Sequence, residues 1–426
     1  MNMALLHILT KVIIKRYILP SQTFFTLLSL TFIYSLLRMN GLLSMSLIID
    51  TLPPTDIFFQ EFWNKKPFVV RGMIPKEIIG AMIDEDHLAG LSLEEEIKSR
   101  LVRKGEKKSD WTCDHGPFKE KEFAELGEKN WSLLVQNTDQ YHDGTAELLK
   151  YFNFSPRWLL DDIMASFSPK GGTVGAHKDS YHVFLVQGKG ERRWKIGNEA
   201  IENENYIEDT SLKILKTSFE SEDITVTEGD VIYIPPNFAH EGISLKPSLT
   251  YSVGFLGPSL SEMLIEFGHY IEVNHAEVPR YLGQNLTESA VPFHVAPNHI
   301  DDLKFFMTGI FDQDYFTKWL THYFSCPREI YDYTYDEGTY DNVKDIIAGN
   351  TMLIKHPRVK IMFTPLKTPQ KYCISAGNLS FELEFSDLFL VNMIAQETPF
   401  SAKIFTNHIE ILQNLLAQNI LKITEI

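Results

Sequence analysis

Two histidines and one aspartate, far apart along the chain, constrain this sequence most. His177-Lys178-Asp179 comes first, and His240 follows 63 residues later (240 − 177 = 63). In an extended segment alternate residues share a face, so His177 and Asp179 point together and Lys178 points away. A third partner must come from another strand. His240 qualifies, because it follows Glu228-Gly229-Asp230, the apolar run Val231 to Ile234, and Pro235-Pro236. That order reads as a turn, a buried strand and a loop whose prolines present His240. Two imidazoles and one carboxylate on one side of an ion leave the other side open, which is the donor set of non-haem iron(II) sites. His177 and Asp179 as a hydrogen-bonded surface pair is the competing reading, since H-x-D alone occurs by chance.

Such an iron(II) needs two further electrons to split oxygen while oxidising a C–H bond, and a 2-oxo acid supplies them by decarboxylation. Its far carboxylate needs a cation inside an apolar barrel. Arg192 shares strand parity with Trp194 and Ile196, so it points inward, while Arg193 and Lys195 point out. A planar guanidinium fork suits a carboxylate. A structural ion pair with a core Asp or Glu is the alternative. Ser166, two residues after Met164 on the neighbouring strand, is a candidate second contact. Tyr181, Ser252 and Met164 are candidate substrate contacts, Tyr181 and Ser252 near the mouth, although Tyr181 packed in the barrel wall is an equal reading.

Around these residues the chain is rich in short strands. Strands are expected at Phe68 to Val70, Ile97 to Val102, Trp131 to Gln136, Asp161 to Ser168, around His177, Val183 to Gln187, Arg192 to Ile196, Ile224 to Val226, Asp230 to Ile234 and Leu249 to Phe255. Gly188-Lys189-Gly190 reads as a hairpin turn joining two of them. Short helices are expected from Thr55, as N-cap, to Trp63 and from Pro75 to His87. Ser92 to Glu95 reads as a capping box or a loop. Many short strands at close spacing indicate a sandwich or barrel, so 45–257 reads as one β-rich domain. Residues 258–330 read as helical, and 331–426 as a small α/β module of winged-helix size.

Composition excludes little but directs the partner. The 426 residues carry a formal net charge of −16, which disfavours a nucleic-acid backbone and suits a basic protein, if it does more than aid solubility. The C-terminal region has no strong basic cluster, so no direct DNA binding is expected. Cys113, Cys326 and Cys373 are dispersed and form no CxxC pair, which fits a reducing cytoplasm. Residues 1–44 form an apolar leader. A translation start at Met39 or Met45 is the favoured reading of it, a membrane anchor the second, and no clear signal-peptidase site follows it.

With these residues in place, the chain resembles the JmjC-type ribosomal oxygenases. The resemblance runs from about Ile48 to the C-terminus. Phe62-Trp63 with Lys66-Pro67, His115-Gly116-Pro117-Phe118, Trp131 to Gln136, Asp161 to Ser168, the H-x-D segment, Arg192-Arg193-Trp194, Ile234-Pro235-Pro236 and Tyr251 to Phe255 carry it. It implies an α+β fold: a double-stranded β-helix (cupin-like JmjC barrel), a helical dimerisation region and a C-terminal winged helix. It implies Fe(II) on His177, Asp179 and His240, and 2-oxoglutarate on Arg192 with Ser166. It also implies a homodimer that hydroxylates a large-subunit ribosomal protein, most closely at the β-carbon of an arginine in the sixteenth. A histidine hydroxylase, a JmjC demethylase and a non-catalytic cupin-like binding module remain as alternatives. Lys170 and Thr173 stand where the family pattern would carry proline and glycine, and the leader has no counterpart.

Overall fold

The computed structural model describes residues 47–424 except 108–109, 203–204, 209–211, 275–278, 288–290, 292, 312–313, 327–341, 350 and 368–369. Everything read above for the 1–44 leader lies outside the described residues, and so does most of the stretch where the helical region passes into the C-terminal module. Among the described residues no helix is long and apolar enough to cross a membrane.

Twelve strands build the first region: β1 (Ile48–Ile49), β2 (Phe68–Val70), β3 (Ser99–Arg103), β4 (Thr112–His115), β5 (Trp131–Val135), β6 (Leu160–Ser168), β7 (His182–Gln187), β8 (Glu191–Ala200), β9 (Ser221–Thr227), β10 (Val231–Ile234), β11 (Phe238–Ser244) and β12 (Ser248–Phe255). They form a nine-stranded sheet, in the order β1-β2-β10-β7-β12-β6-β5-β3-β4, and a three-stranded sheet, β11-β8-β9.

Parity explains how the large sheet works. Every residue of β7 and β12 is buried, because both faces are covered. Phe184 and Val186 of β7, Ile163 and Ala165 of β6, and Leu249, Tyr251 and Val253 of β12 pack into one apolar core. Phe58, Ile83, Leu88 and Phe152 reach that core from the flanking helical turns. The alternate residues, Val183 and Leu185, Met164 and Ser166, Thr250 and Ser252, line the cavity on the other side. Tyr251 ties the two layers, its hydroxyl donating to the Ile83 carbonyl at 2.6 Å.

Several expectations are corrected. Val183 to Gln187 and Arg192 to Ile196 are not two arms of one hairpin. β7 pairs with β10 and β12, whereas β8 pairs with β9 and β11, so Gly188 to Gly190 carries the chain from one sheet to the other. His177 does not sit in a continuous strand but forms a single antiparallel bridge with His240. His240 is not on a loop: it lies inside β11, opposite Ile196. Thr55 is the first helical residue rather than a side-chain cap, and Phe58–Phe62 continues as a π-helical turn. Pro75 to His87 divides into the helices Lys76–Gly80 and Glu85–Leu91, and Ser92 closes the second one instead of opening a capping box. β4 had no expectation.

Beyond the barrel come the helices Leu260–Asn274, Pro297–Thr308 and Asp314–Ser325. Phe267 of the first is buried against Phe311, Phe316 and Trp319. A separate core then gathers Leu353, Ile374, Val391, Phe405, Leu412 and Leu416. Two three-stranded sheets flank it: β13 (Met352–Lys355) between β17 (Phe400–Ser401) and β18 (Leu421–Thr424), and β15 (Lys371–Ala376) between β14 (Ile361–Pro365) and β16 (Leu379–Glu384). The helices Leu388–Ala395 and Ile409–Ala417 complete this module.

Candidate metal and cosubstrate site

The bridge between His177 and His240 is the backbone device that assembles the site. His177 N–H donates to the His240 carbonyl at 3.0 Å, and His240 N–H returns the bond at 2.8 Å. That reciprocal pair sets the two imidazoles side by side, ring centroids 4.3 Å apart. Each Nδ1 faces a carbonyl, Gly175 at 2.9 Å for His177 and Phe238 at 3.0 Å for His240. A carbonyl only accepts, so each Nδ1 carries the proton and each Nε2 keeps its lone pair. Asp179 faces both lone pairs, with oxygens 4.0 Å from His177 Nε2 and 3.6 Å from His240 Nε2. Its own carbonyl holds the Asn237 N–H at 2.7 Å, which fixes the turn after the two prolines. Lys178 points away, as parity requires, and donates to the Ile201 carbonyl at 2.7 Å.

These three donor atoms lie within 4.8 Å of one another. Their separations are too long for hydrogen bonds, but two ligands each about 2.1 Å from one ion stand at most about 4.2 Å apart. Burial, reinforced by the His177 ring, pushes the His240 imidazole down to about 4, against the opposing pull of Asp179 and the Phe238 carbonyl. It is therefore held neutral, the form that ligates. The donor set and its protonation fit a divalent iron.

Arg192 projects from β8 into the same cavity and is 5 % exposed. No carboxylate pairs with it among the described residues. Hydroxyls surround it instead: Nη2 donates to Ser168 Oγ at 2.6 Å, Nη1 to Thr250 Oγ1 at 3.1 Å and Nε to Ser244 Oγ at 3.3 Å. Burial alone lowers this guanidinium to about 10. A buried cation with only neutral partners is costly unless an anion joins it, and a carboxylate fits that vacancy in charge and geometry. The structural ion pair weighed from sequence is not found among the described residues.

Ser166 lies in the cavity wall but donates to the Thr250 carbonyl at 3.3 Å rather than touching Arg192. Ser168, Ser244 and Thr250 were missed. Two of them were within reach of parity: Ser168 follows Ser166 by two on β6, and Thr250 precedes Ser252 by two on β12. Ser244 required the β11–β8 pairing, which sets it opposite Arg192.

The cavity measures about 660 Å³, and His177, Asp179, His240, Arg192, Met164, Ser166, Tyr181 and Ser252 all line it. The floor is close-packed: a Cβ on Gly242 would meet the Trp194 ring at 2.7 Å, so only glycine lets that indole lie beside the site. Burial first, then the charges of Asp179, Asp162 and Asp161, push the Tyr181 phenol up, with Arg100 pulling the other way. Tyr181 is therefore a neutral hydroxyl in a locally acidic corner.

Comparison with known proteins agrees with this geometry. A family model described as a JmjC domain matches residues 147–263. The chain is 34% identical over 308 residues to a "Ribosomal protein uL16 3-hydroxylase" of Escherichia coli, covering 72% of this chain and 81% of that one. It is 38% identical over 227 residues to a "Probable ribosomal oxygenase" of Haemophilus influenzae, covering 53% and 55%. Among solved structures, E. coli YcfD superposes with a TM-score of 0.73 at 30% identity, over 88% of this chain and 99% of that one. A second YcfD structure, described as a ribosomal oxygenase in complex with cobalt and 2-oxoglutarate, gives 0.71 at 29% over the same shares.

Proposed function

This chain belongs to the JmjC-domain family of ribosomal oxygenases, and from that premise we propose that it is an Fe(II)- and 2-oxoglutarate-dependent protein hydroxylase. Its substrate is a ribosomal protein, with the β-carbon of an arginine in uL16 the first choice. One observation carries the reading: a His-Asp-His cluster and a buried arginine, with no carboxylate paired to it among the described residues, face one cavity.

Bound iron and 2-oxoglutarate would supply the oxidising power, with O2 delivering one atom to succinate and one to the substrate C–H bond while CO2 is lost. The residues of the chain do the rest. His177, His240 and Asp179 would hold the ion by three positions and leave the others open. Arg192 binds the far carboxylate of the cosubstrate, and Ser168 and Thr250 keep its fork turned toward the cavity. Ser166 stands beside them as the secondary contact. Val183, Leu185 and Trp194 exclude water from the reacting centre. Met164, Tyr181 and Ser252 contact the incoming side chain, and the acidic corner at Tyr181 suits a cationic one.

The net charge of −16 favours a basic ribosomal protein in the cytoplasm over nucleic acid. The helical region leaves Leu260, Ile265, Phe293, Phe305 and Met307 exposed, apolar side chains of the kind a homodimer interface covers. We assign 45–257 to catalysis, 258–330 to dimerisation and 331–426 to a winged-helix-like module.

Incubation with Fe(II), 2-oxoglutarate, O2 and ribosomal-protein peptides tests the reading. A peptide heavier by one oxygen, lost in His177→Ala, supports it. Loss of a methyl group from methyl-lysine would favour the demethylase. A modified histidine would shift the substrate to the histidine class. No turnover, with peptide binding unchanged in His177→Ala, would favour a binding module.

A further inference from the structure

The first half of β6 lacks a strand along one edge. β5 pairs only with Ala165, Ser166 and Phe167, so the backbone before them must find other partners. Side chains of residues 138 and 139 supply them. Ile163 N–H donates to Asp139 Oδ1 at 2.8 Å, and the Ile163 carbonyl accepts from Thr138 Oγ1 at 2.7 Å. One residue earlier, Asp162 accepts the Asn137 N–H at 2.9 Å. Asp139 is 2 % exposed; burial pushes its carboxyl up, and the Ile163 N–H, the Gln140 amide at 2.8 Å and a nearby cation pull the other way.

That cation comes from the C-terminal module, 221 residues further on (360 − 139 = 221). Lys360, itself buried, donates to the carbonyl of Leu160, the first residue of β6, at 2.8 Å, and its charge acts on Asp139. Arg358 donates to the Gln140 carbonyl and to Asp143, each at 2.7 Å. Lys422 stands 3.6 Å from Asp143. Two cations of one module thus grip the segment that buttresses β6, and a third holds the first residue of the strand itself. That strand presents Met164 and Ser166 to the cavity and Ser168 to Arg192.

We propose that the C-terminal module sets the position of the cosubstrate wall, with Lys360 and Asp139 as positioning residues that hold β6 in register. Its effect on 2-oxoglutarate rests on the function proposed above; its effect on β6 does not. Without Lys360 the Leu160 carbonyl loses its donor and Asp139 loses an attraction that offsets part of its burial, which loosens the Ile163 N–H bond and lets the Met164-to-Ser168 stretch open.

The test is Lys360→Met in the full chain, read by amide hydrogen exchange and by 2-oxoglutarate titration of the cobalt-loaded protein. Exchange in residues 160–168 is expected to rise about tenfold, with β8 and β11 unchanged. The dissociation constant for 2-oxoglutarate is expected to rise about fivefold, beyond what independent sites allow. Adding Asp139→Asn restores both, because an amide oxygen accepts the Ile163 N–H without burying a charge. Unchanged exchange in 160–168, a rise spread evenly over the chain, or a double variant as open as the single one would overturn the proposal. A wild-type protein that does not bind 2-oxoglutarate would instead overturn the functional reading, and the exchange data would still decide the brace.

Discussion

Arg192 in the barrel and Lys355 beside Arg157 in the C-terminal seam are both cations taken out of water, yet they are completed differently. In the seam Glu397 accepts Arg157 at 3.1 Å and Asn153 at 3.0 Å and lies 3.7 Å from Lys355, so both cations meet a carboxylate inside the chain. In the barrel, hydroxyls turn the guanidinium toward the cavity and no carboxylate among the described residues follows. A balanced buried pair adds specificity to a fold. A cation left unbalanced reserves its charge for a ligand. The difference separates a structural site from a binding site without reference to any relative.

The comparison breaks most visibly at the metal cluster. Asp179→Ala removes the carboxylate that faces both imidazoles, and product formation is expected to fall by more than about 100-fold, since even partners of ligands cost that much; mass spectrometry of the peptide reads it. Arg192→Met is expected to weaken 2-oxoglutarate binding about 100-fold, the worth of two charge-assisted hydrogen bonds, with thermal stability unchanged or raised because no partner charge is stranded. Glu397→Gln does the reverse. It strands Arg157 and Lys355 and is expected to cost about 3 kcal/mol in urea unfolding.

The smallest effect is pH dependence. Burial holds His182 and His356 down at about 4, below the ordinary value of about 6.5. Between those values the unfolded chain binds protons that the folded chain refuses, so stability falls on acidification from about pH 6.5 to 4. Burial likewise lowers Lys355 to about 8, so by the same sign its contribution rises between about pH 8 and 10.4. Denaturant midpoints across both windows check this, and flat profiles would contradict it.

Much of the site was legible because its chemistry is sparse in sequence. H-x-D, an inward arginine and a histidine after a buried strand have few interpretations together. Strand faces were legible too, since parity assigned Arg192, Trp194 and Ile196 inward and Lys178 outward. Pairing was not. Gly188-Lys189-Gly190 looks like a hairpin turn, but a turn sequence does not say which sheet the next strand joins. His240 looked loop-borne because two prolines precede it, and its strand exists through Ile196 and His177. Lys360 was invisible for the same reason: its partner is the backbone of Leu160, and no local pattern marks a side chain that bonds 200 residues away.

The account stands or falls on whether Arg192 and the His-Asp-His cluster serve one ligand. Calorimetric titration of 2-oxoglutarate into the cobalt-loaded protein asks this directly, with Arg192→Met and His177→Ala alongside. Tight binding by the parent chain, lost in both variants while each keeps a cooperative unfolding transition, is the predicted result. Binding that survives either substitution would contradict it.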